Sequence, residues 1–481
     1  MWAFVAQTAL ASAASAALLF AFRWIRSRAP LAAYLFAAGL IARTAIGLGL
    51  AVSWFATAGP EARFGPDARW FPDAQMYYVD AADAAAQGLT RVADDDASPV
   101  FVRTLGLWMR ATGESHAGAH LLNLLVFAAI AVAVCAALTR RGDTLGQQAA
   151  ALVVGAFALS PNLIILASQP LKDTVFFGAL ACVAIGLWHV CTDAEPSSLR
   201  LAAAPMAVVL LGVYVMSGMR AYFGLMILGL LAGVLGLRAL WLYLPDRRAP
   251  RPFIRRALVL LAVVWLGCRV GGGPYYSLFA DPFLAPVTTR VDAAIARGLR
   301  LVGVTPPRLG TADTEAAGLL DVVERSRRGF ESSGGGTNMA PPELDRSQRV
   351  GLLSRVAGVV LGLGAVFVPV SVLRATGIVS FPGGGRFLLL TDVDTLYLDL
   401  AIALCLVFVW RRRHELEGRW TLAVFLLALG AVCAVLVGYV VTNYGTLFRL
   451  RLLAVVPFWL LPLVLSRATA PASTPAAVVR S

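Results

Sequence analysis

Residues 118–139 read GAHLLNLLVFAAIAVAVCAALT, a run without Asp, Glu, Lys or Arg, and Arg140 and Arg141 follow it directly. A helix of about 20 apolar residues crosses the roughly 30 Å of hydrocarbon in a bilayer. Ten further runs share this apolar character, at about 3–21, 31–57, 147–167, 174–190, 200–217, 221–243, 257–272, 395–410, 420–442 and 451–467. The sequence therefore predicts an all-α polytopic membrane protein with about 11 transmembrane helices.

The composition of the whole chain agrees with this fold class. Of its 481 residues, 59% are hydrophobic and 14% are charged, whereas about 25% of the residues in soluble domains are charged. The net charge of +13 comes from arginines that cluster in short loops between the apolar runs, where basic residues determine membrane topology. This placement predicts membrane lipids as the surroundings of the protein and argues against nucleic acid as a partner.

The arginine clusters also assign the two sides of the membrane, because basic loops stay in the cytoplasm. They put the N-terminus outside, the C-terminal tail inside, and residues 58–117 and 273–394 on the outer face. The clusters are Arg23, Arg26 and Arg28; Arg140 and Arg141; Arg247, Arg248, Arg251, Arg255 and Arg256; and Arg411, Arg412 and Arg413. The first apolar run is expected to be retained as an anchor, since its basic residues follow it, whereas those of a signal peptide precede the apolar region.

This topology divides the chain into six segments. They are two transmembrane helices at 1–57, a first outer loop with interfacial helices at 58–117, a transmembrane helix core at 118–272, an outer loop or cap at 273–394, C-terminal transmembrane helices at 395–467 and a disordered tail at 468–481. In the first outer loop, Pro99–Thr112 alternates apolar positions with Arg103 and Arg110. Such a pattern is typical of a helix that lies in the plane of the membrane interface.

A further apolar run, Val356–Ile378, fits this topology only as a re-entrant hairpin. A full span there would move Arg411–Arg413 to the outside, against the rule for basic loops. The run contains Gly362, Gly364 and Pro369, and irregular backbone at membrane depth is tolerated where protein or a wet cavity covers it. The sequence therefore favours the hairpin over a span.

Charged and polar residues gather in four turns of the predicted outer face. They are Asp73 in the first outer loop, Lys172 and Asp173 between the fourth and fifth spans, Arg220 between the sixth and seventh, and Asn443, Arg449 and Arg451 before the last. Charges close to spans are costly, so each one marks a candidate site. Two interpretations stay open for the cations: anchoring to lipid headgroups, or binding of a phosphate group.

The stretch PDAQMYYVDAADAAAQG, residues 72–88, carries the carboxylate of the first outer loop. On a helix, Asp73, Tyr77 and Asp80 share one face, because residues three or four apart are neighbours. A carboxylate in this position is a base, a metal ligand or a solvated charge. The spacing of the cysteines and histidines indicates no metal site, so no cofactor is expected, although participation of a divalent metal stays open.

The order of these motifs resembles the C-type (GT-C) superfamily of polytopic glycosyltransferases, which use sugars linked to polyprenyl phosphate. In many of its members, the first long outer loop carries an acidic residue with Tyr four and Ala eight positions later, as in Asp73, Tyr77 and Ala81. An interfacial helix then leads into a span, and a later span ends in Ser-Pro, here Ser160-Pro161. The segments GGGTN and NYGTLFRLR are similar to membrane proteins of bacterial surface-polysaccharide systems.

The resemblance implies a multi-pass protein of the bacterial cytoplasmic membrane that transfers a sugar, or polymerises a polysaccharide, on the outer face. The implied site consists of Asp73 as the general base, Lys172, Arg220, Arg449 and Arg451 as ligands of the donor phosphate, and Tyr77, Asp173 and Asn443 as supporting residues. The implied partners are a polyprenyl-phosphate-linked sugar and a glycan or lipid acceptor. The alternatives are a transporter of lipid-linked oligosaccharide or another anion, and a non-catalytic membrane subunit of polysaccharide assembly. The lack of an internal repeat favours the enzyme over the transporter.

Overall fold

The computed structural model describes residues 2–58, 72–89, 92, 98–139, 143–191, 199–246, 253–272, 352–376, 385–416, 420–441 and 444–465. Within these ranges the chain forms helices and no strand, which confirms the all-α class. The predictions for the cap at 273–351, for the tail at 468–481 and for Asn443 lie outside the described residues.

The α-helices follow one another with short connections. They are α1 (Trp2–Arg26), α2 (Pro30–Ala58), α3 (Pro72–Gln87), α4 (Pro99–Thr112), α5 (His116–Leu138), α6 (Thr144–Leu159), α7 (Pro161–Ala167), α8 (Asp173–Cys191), α9 (Leu199–Met219), α10 (Ala221–Asp246), α11 (253–272), α12 (Leu352–Phe367), α13 (Val370–Ala375), α14 (Gly385–Arg411), α15 (Trp420–Val440), α16 (Tyr444–Leu450) and α17 (Leu452–Trp459). Short 3-10 helices follow α14 at Arg413–Leu416 and α17 at Leu461–Leu465.

Eight of the described helices or helical stretches are long and apolar enough to cross a membrane, or nine if the bent pair α6 and α7 counts as one span. This confirms a multi-pass membrane protein, but it does not confirm the predicted number of about 11 spans. Two predicted spans fall short. At 200–217, the apolar part of α9 covers only Ala203–Met219. At 257–272, Arg256 and Arg269 leave only a short uncharged stretch in α11.

The core lies where α5, α6, α8 and α9 pack together, with α2 alongside α6. Phe127, Val134 and Phe177 are almost completely buried there. The outer sides of the spans expose apolar residues instead, such as Leu389 and Leu400 of α14. Apolar side chains on both sides are expected for helices that have lipid as their solvent.

Helices α3 and α4 pack against each other next to the spans. The predicted helix Pro99–Thr112 is confirmed, and it ends at Gly113, whose φ of 84° lies in the left-handed region that favours glycine. Tyr77 and Ala81 of α3 are buried against α4. Gly106 permits this contact, since a Cβ there would lie 3.0 Å from the carbonyl oxygen of Ala81. The pair fixes the direction in which the start of α3 presents its carboxylate.

Helices α6 and α7 meet at a break where the chain bends by 61°. Because Pro161 has no N–H, carbonyl groups in the last turn of α6 lose their helical partners. The guanidinium of Arg43 donates to the carbonyl oxygens of Phe157 and Ala158, at 2.6 and 2.8 Å. The Tyr397 hydroxyl donates at 2.8 Å to the carbonyl oxygen of Gly155, which precedes them in α6. Arg43 is thus held at the negative end of a helix.

The apolar run predicted as a hairpin is divided at Pro369 into α12 and α13. Gly362 of α12 lies directly on Gly438 of α15, where an added Cβ would be 2.0 Å from a backbone oxygen. Helix α12 has 16 residues, a length of about 24 Å, which is less than the roughly 30 Å of hydrocarbon. The re-entrant course of this run stays a prediction.

Candidate functional site

Five of the residues singled out in the sequence meet at one end of the bundle. Asp73 lies in the first turn of α3 and Asp173 begins α8, so both carboxylates sit at helix N-termini. Arg220 follows the last residue of α9 and Arg449 lies in the last turn of α16. Carboxylates at N-termini and arginines at C-termini are each stabilised by the helix dipole. The helix dipole thus favours both carboxylates and Arg449 in these positions.

The carboxylate of Asp173 is clamped between two arginines. Its Oδ1 accepts a hydrogen bond from Arg220 Nη2 at 2.8 Å, and its Oδ2 accepts one from Arg449 Nε at 2.7 Å. The Asp173 side chain is completely buried. A buried carboxylate is tolerated only with such charged partners, so this clamp is a fixed part of the fold.

Arg449 extends the clamp to Asp73. Its Nη1 donates to Asp73 Oδ2 at 2.5 Å, while its Nε holds Asp173. The side chain of Asp73 is 52% exposed, whereas that of Arg449 is 8% exposed. The ion-pair chain Asp73–Arg449–Asp173–Arg220 therefore runs from the surface into the interior. The carboxylate of Asp73, at the surface end, is accessible to a ligand.

Lys172 lies beside this chain but points into the protein. Its Nζ donates to Ser98 Oγ and to the Met219 carbonyl oxygen, the latter at 3.2 Å, and it lies 5.2 Å from the centre of the Tyr77 ring. Burial, reinforced by the positive charges of Arg220 and Arg449, lowers the pKa of Lys172 from its ordinary value of 10.5 to about 7. The amine thus joins α3, α4 and α9 instead of snorkelling to the membrane surface.

Tyr77 supports the site from within α3. It is buried, and its ring packs edge-on against Phe101 of α4 with ring centres 5.4 Å apart. Burial raises the pKa of its hydroxyl, so Tyr77 is neutral near pH 7. Its role in the structure is to hold the first turns of α3, and with them Asp73, against the bundle.

Arg451 is not brought to this group. Although it follows Arg449 by two residues, its guanidinium donates to the Asp394 carboxylate and to the Thr395 hydroxyl on α14. Asp394 also accepts from the backbone N–H of Asn162, at the start of α7, at 2.9 Å. Arg451 and Asp394 are both completely buried. Among the described residues, the partners of Arg451 are buried and connect it to the start of α7.

Four residues of these networks were missed in the sequence: Ser98, Asn162, Asp394 and Thr395. Ser98 precedes Pro99 at the start of α4, but its hydroxyl makes no capping hydrogen bond and instead accepts from Lys172 and donates to the Met219 carbonyl oxygen. Asp394 was assigned to the outer loop at 273–394, whereas α14 begins already at Gly385. No local pattern distinguishes a buried paired carboxylate from one in a loop.

Metal ligands are not grouped in the part of the chain that the structure describes. No three or more His, Cys, Asp or Glu side chains come together there in a way that could hold a metal ion. The two carboxylates of the ion-pair chain are instead oriented by arginines. The donor set at this site therefore suits an anionic group close to Arg449 and a hydroxyl group close to Asp73.

Comparison with known proteins yields no relative: the chain matches no protein-family model and no curated protein, and its fold matches no solved structure.

Proposed function

We propose that the protein is a membrane glycosyltransferase or polysaccharide polymerase that takes sugar from a polyprenyl-phosphate-linked donor on the outer face of the cytoplasmic membrane. One observation carries this proposal: Asp73, half exposed, is held 2.5 Å from Arg449, which is itself anchored on fully buried Asp173. A base and a cation are thus fixed next to each other at the end of a transmembrane bundle. The resemblance of Asp73, Tyr77 and Ala81 to the GT-C motif supports the same function.

The proposed reaction uses Asp73 as the base and the guanidinium of Arg449 as the cation. Asp73 accepts the proton of the acceptor hydroxyl while the hydroxyl oxygen attacks the anomeric carbon of the donor sugar. The new carbon–oxygen bond forms as the bond from the anomeric carbon to the phosphate oxygen breaks, and the bonding electrons leave with the phosphate. Negative charge on the leaving phosphate grows in the transition state, where a fixed guanidinium stabilises it most.

A donor for this phosphate is present beside Asp73. Arg449 Nη2, on the guanidinium that holds Asp73, is buried and has no hydrogen-bond partner within the described residues. An unpaired buried donor costs about 1–3 kcal/mol, so a bound anion that accepts from this group recovers that energy. A lipid-linked donor also suits the place, since its polyprenyl chain stays in hydrocarbon while its phosphate reaches the ends of the spans.

A transporter of lipid-linked oligosaccharide is the second candidate, because the broken span α6–α7 is a feature of many transporters. In those proteins the freed backbone groups face the substrate. Here Arg43 and Tyr397 bind carbonyl groups that end α6, and Asp394 binds an N–H that begins α7. The backbone groups at the break are thus bound by the protein itself and not by a substrate. This favours the enzyme over the transporter.

Reconstitution into liposomes distinguishes the two functions. Purified protein is mixed with a panel of polyprenyl-phosphate-linked sugars and with glycan or lipid acceptors, and free polyprenyl phosphate and lengthened acceptor are measured. The proposal predicts release of polyprenyl phosphate that depends on acceptor. Movement of the intact donor between leaflets without sugar transfer would instead support the transporter, and neither activity would support the non-catalytic subunit.

A further inference from the structure

The guanidinium of Arg449 has three nitrogen atoms, and they differ in how firmly a partner holds them. Its Nε donates to Asp173, which is completely buried, and its Nη1 donates to Asp73, which is 52% exposed. Its Nη2 is buried and has no partner within the described residues. Nε is therefore firmly bound, Nη1 is bound to a carboxylate that water can reach, and Nη2 is available for a further acceptor.

The exposed contact is the weak one. A carboxylate in water exchanges its ion pair for hydration at little cost, whereas removal of a partner from a buried carboxylate leaves an uncompensated charge. When an anion approaches Arg449, the Asp73 contact is thus the one that yields. Asp173 keeps the guanidinium in place throughout, because its second oxygen is held by Arg220.

From this difference we infer that Asp73 and the phosphate group of the donor compete for Arg449, and that donor binding releases Asp73 to act as the base. The inference rests on the proposed function. A phosphate that binds Nη1 and Nη2 together forms the bidentate contact for which a guanidinium is suited. The phosphate then binds the Nη1 that donates to Asp73 in this structure. Repulsion between the two negative groups turns the carboxylate away from Arg449.

This exchange gives the site an order of events. Without donor, Arg449 occupies one oxygen of Asp73, so this oxygen is not available to an acceptor hydroxyl. With donor bound, the carboxylate is released next to the donor sugar, where it accepts the proton of the acceptor hydroxyl. The ion pair thus restricts activation of an acceptor hydroxyl to the time when a donor is present, and it lowers wasteful reaction with water.

The experiment measures binding of farnesyl phosphate, a short polyprenyl phosphate without a sugar, to the full-length protein in lipid nanodiscs. Competition predicts that Asp73→Asn binds this ligand about tenfold more tightly than the wild type, since the amide has no charge with which to hold Arg449. The matched control is Asp83→Asn, an exposed aspartate on the same helix, which should bind like the wild type. Arg449→Gln should lose binding.

The outcomes distinguish a failure of the competition from a failure of the proposed function on which it rests. Equal or weaker binding by Asp73→Asn, with binding intact in the wild type, would overturn the competition but leave the donor site standing. Equal tightening by Asp83→Asn would also overturn it, because the effect would then be general charge removal. Absence of binding in wild type and both variants would remove the proposed donor and the competition together. Unchanged melting temperatures of Asp73→Asn and Asp83→Asn would show that these two variants are folded.

Discussion

Arg449 and Arg451 are two residues apart in the chain, yet they belong to different ion-pair networks. Arg449 connects buried Asp173 to half-exposed Asp73. Arg451 faces Asp394, and both of these side chains are completely buried. The comparison teaches that a cation near the end of a span is a candidate for ligand binding only when one of its partners reaches solvent. Where both partners are sealed, the pair stabilises the fold.

The largest effect on stability is expected at Arg451. Arg451→Ala leaves the Asp394 carboxylate buried without its charged partner, and loss of one member of a buried pair costs about 3–5 kcal/mol. The free energy of unfolding in detergent should fall by this amount, whereas Arg411→Ala, at an exposed position on α14, should change it little.

The matched double variant sharpens this prediction. Arg451→Met combined with Asp394→Leu removes both buried charges and should recover much of the loss. A wild-type free energy of unfolding for Arg451→Ala alone would contradict the structural role of the pair and return Arg451 to the list of phosphate ligands.

A smaller loss of stability is expected at Arg43. Arg43→Met removes the donors of two carbonyl groups at the end of α6, and each buried group left unpaired costs about 1–3 kcal/mol. The free energy of unfolding should fall, and a cysteine introduced next to the break at Pro161 should be labelled faster. Unchanged labelling would show that Arg43 does not hold the break.

Lys172 makes stability depend on pH. Its pKa is about 7 in the folded protein and 10.5 ordinarily, so the unfolded chain binds more protons between these values, and stability should rise as the pH increases from about 7 towards 10. In Lys172→Met this part of the rise should be absent. Melting temperatures of both proteins over that pH range test the prediction, and identical pH profiles would contradict the burial of the amine.

Much of the fold follows from the sequence, because apolar runs long enough to span a bilayer are a strong local signal. The gathering of Asp73, Lys172, Asp173, Arg220 and Arg449 at one end was also predicted, from the side of the membrane to which each turn belongs. Which carboxylate pairs with which arginine was not predictable. Arg449 lies hundreds of residues from both of its partners, so pairing depends on how the helices pack.

The error at Asp394 has a physical cause. A sequence such as Thr391 to Thr395 reads as loop because it is polar, and the predicted span began only at 395. The polar side chains are accommodated inside α14 because Arg451 and Asn162 bind them. Polar residues that satisfy one another within a bundle have the same local pattern as residues that face water, so only the packed structure separates them.

The central claim is that Asp73 belongs to a working site and not to the scaffold, and Asp73→Asn against Asp83→Asn tests it directly. Because Asp73 is half exposed, its loss should cost less than about 1 kcal/mol of stability. Sugar transfer from a polyprenyl-phosphate-linked donor should nevertheless fall by about 100-fold or more, the usual effect of removing a general base. Asp83→Asn should keep wild-type transfer. A folded Asp73→Asn variant that transfers sugar at the wild-type rate would contradict the account.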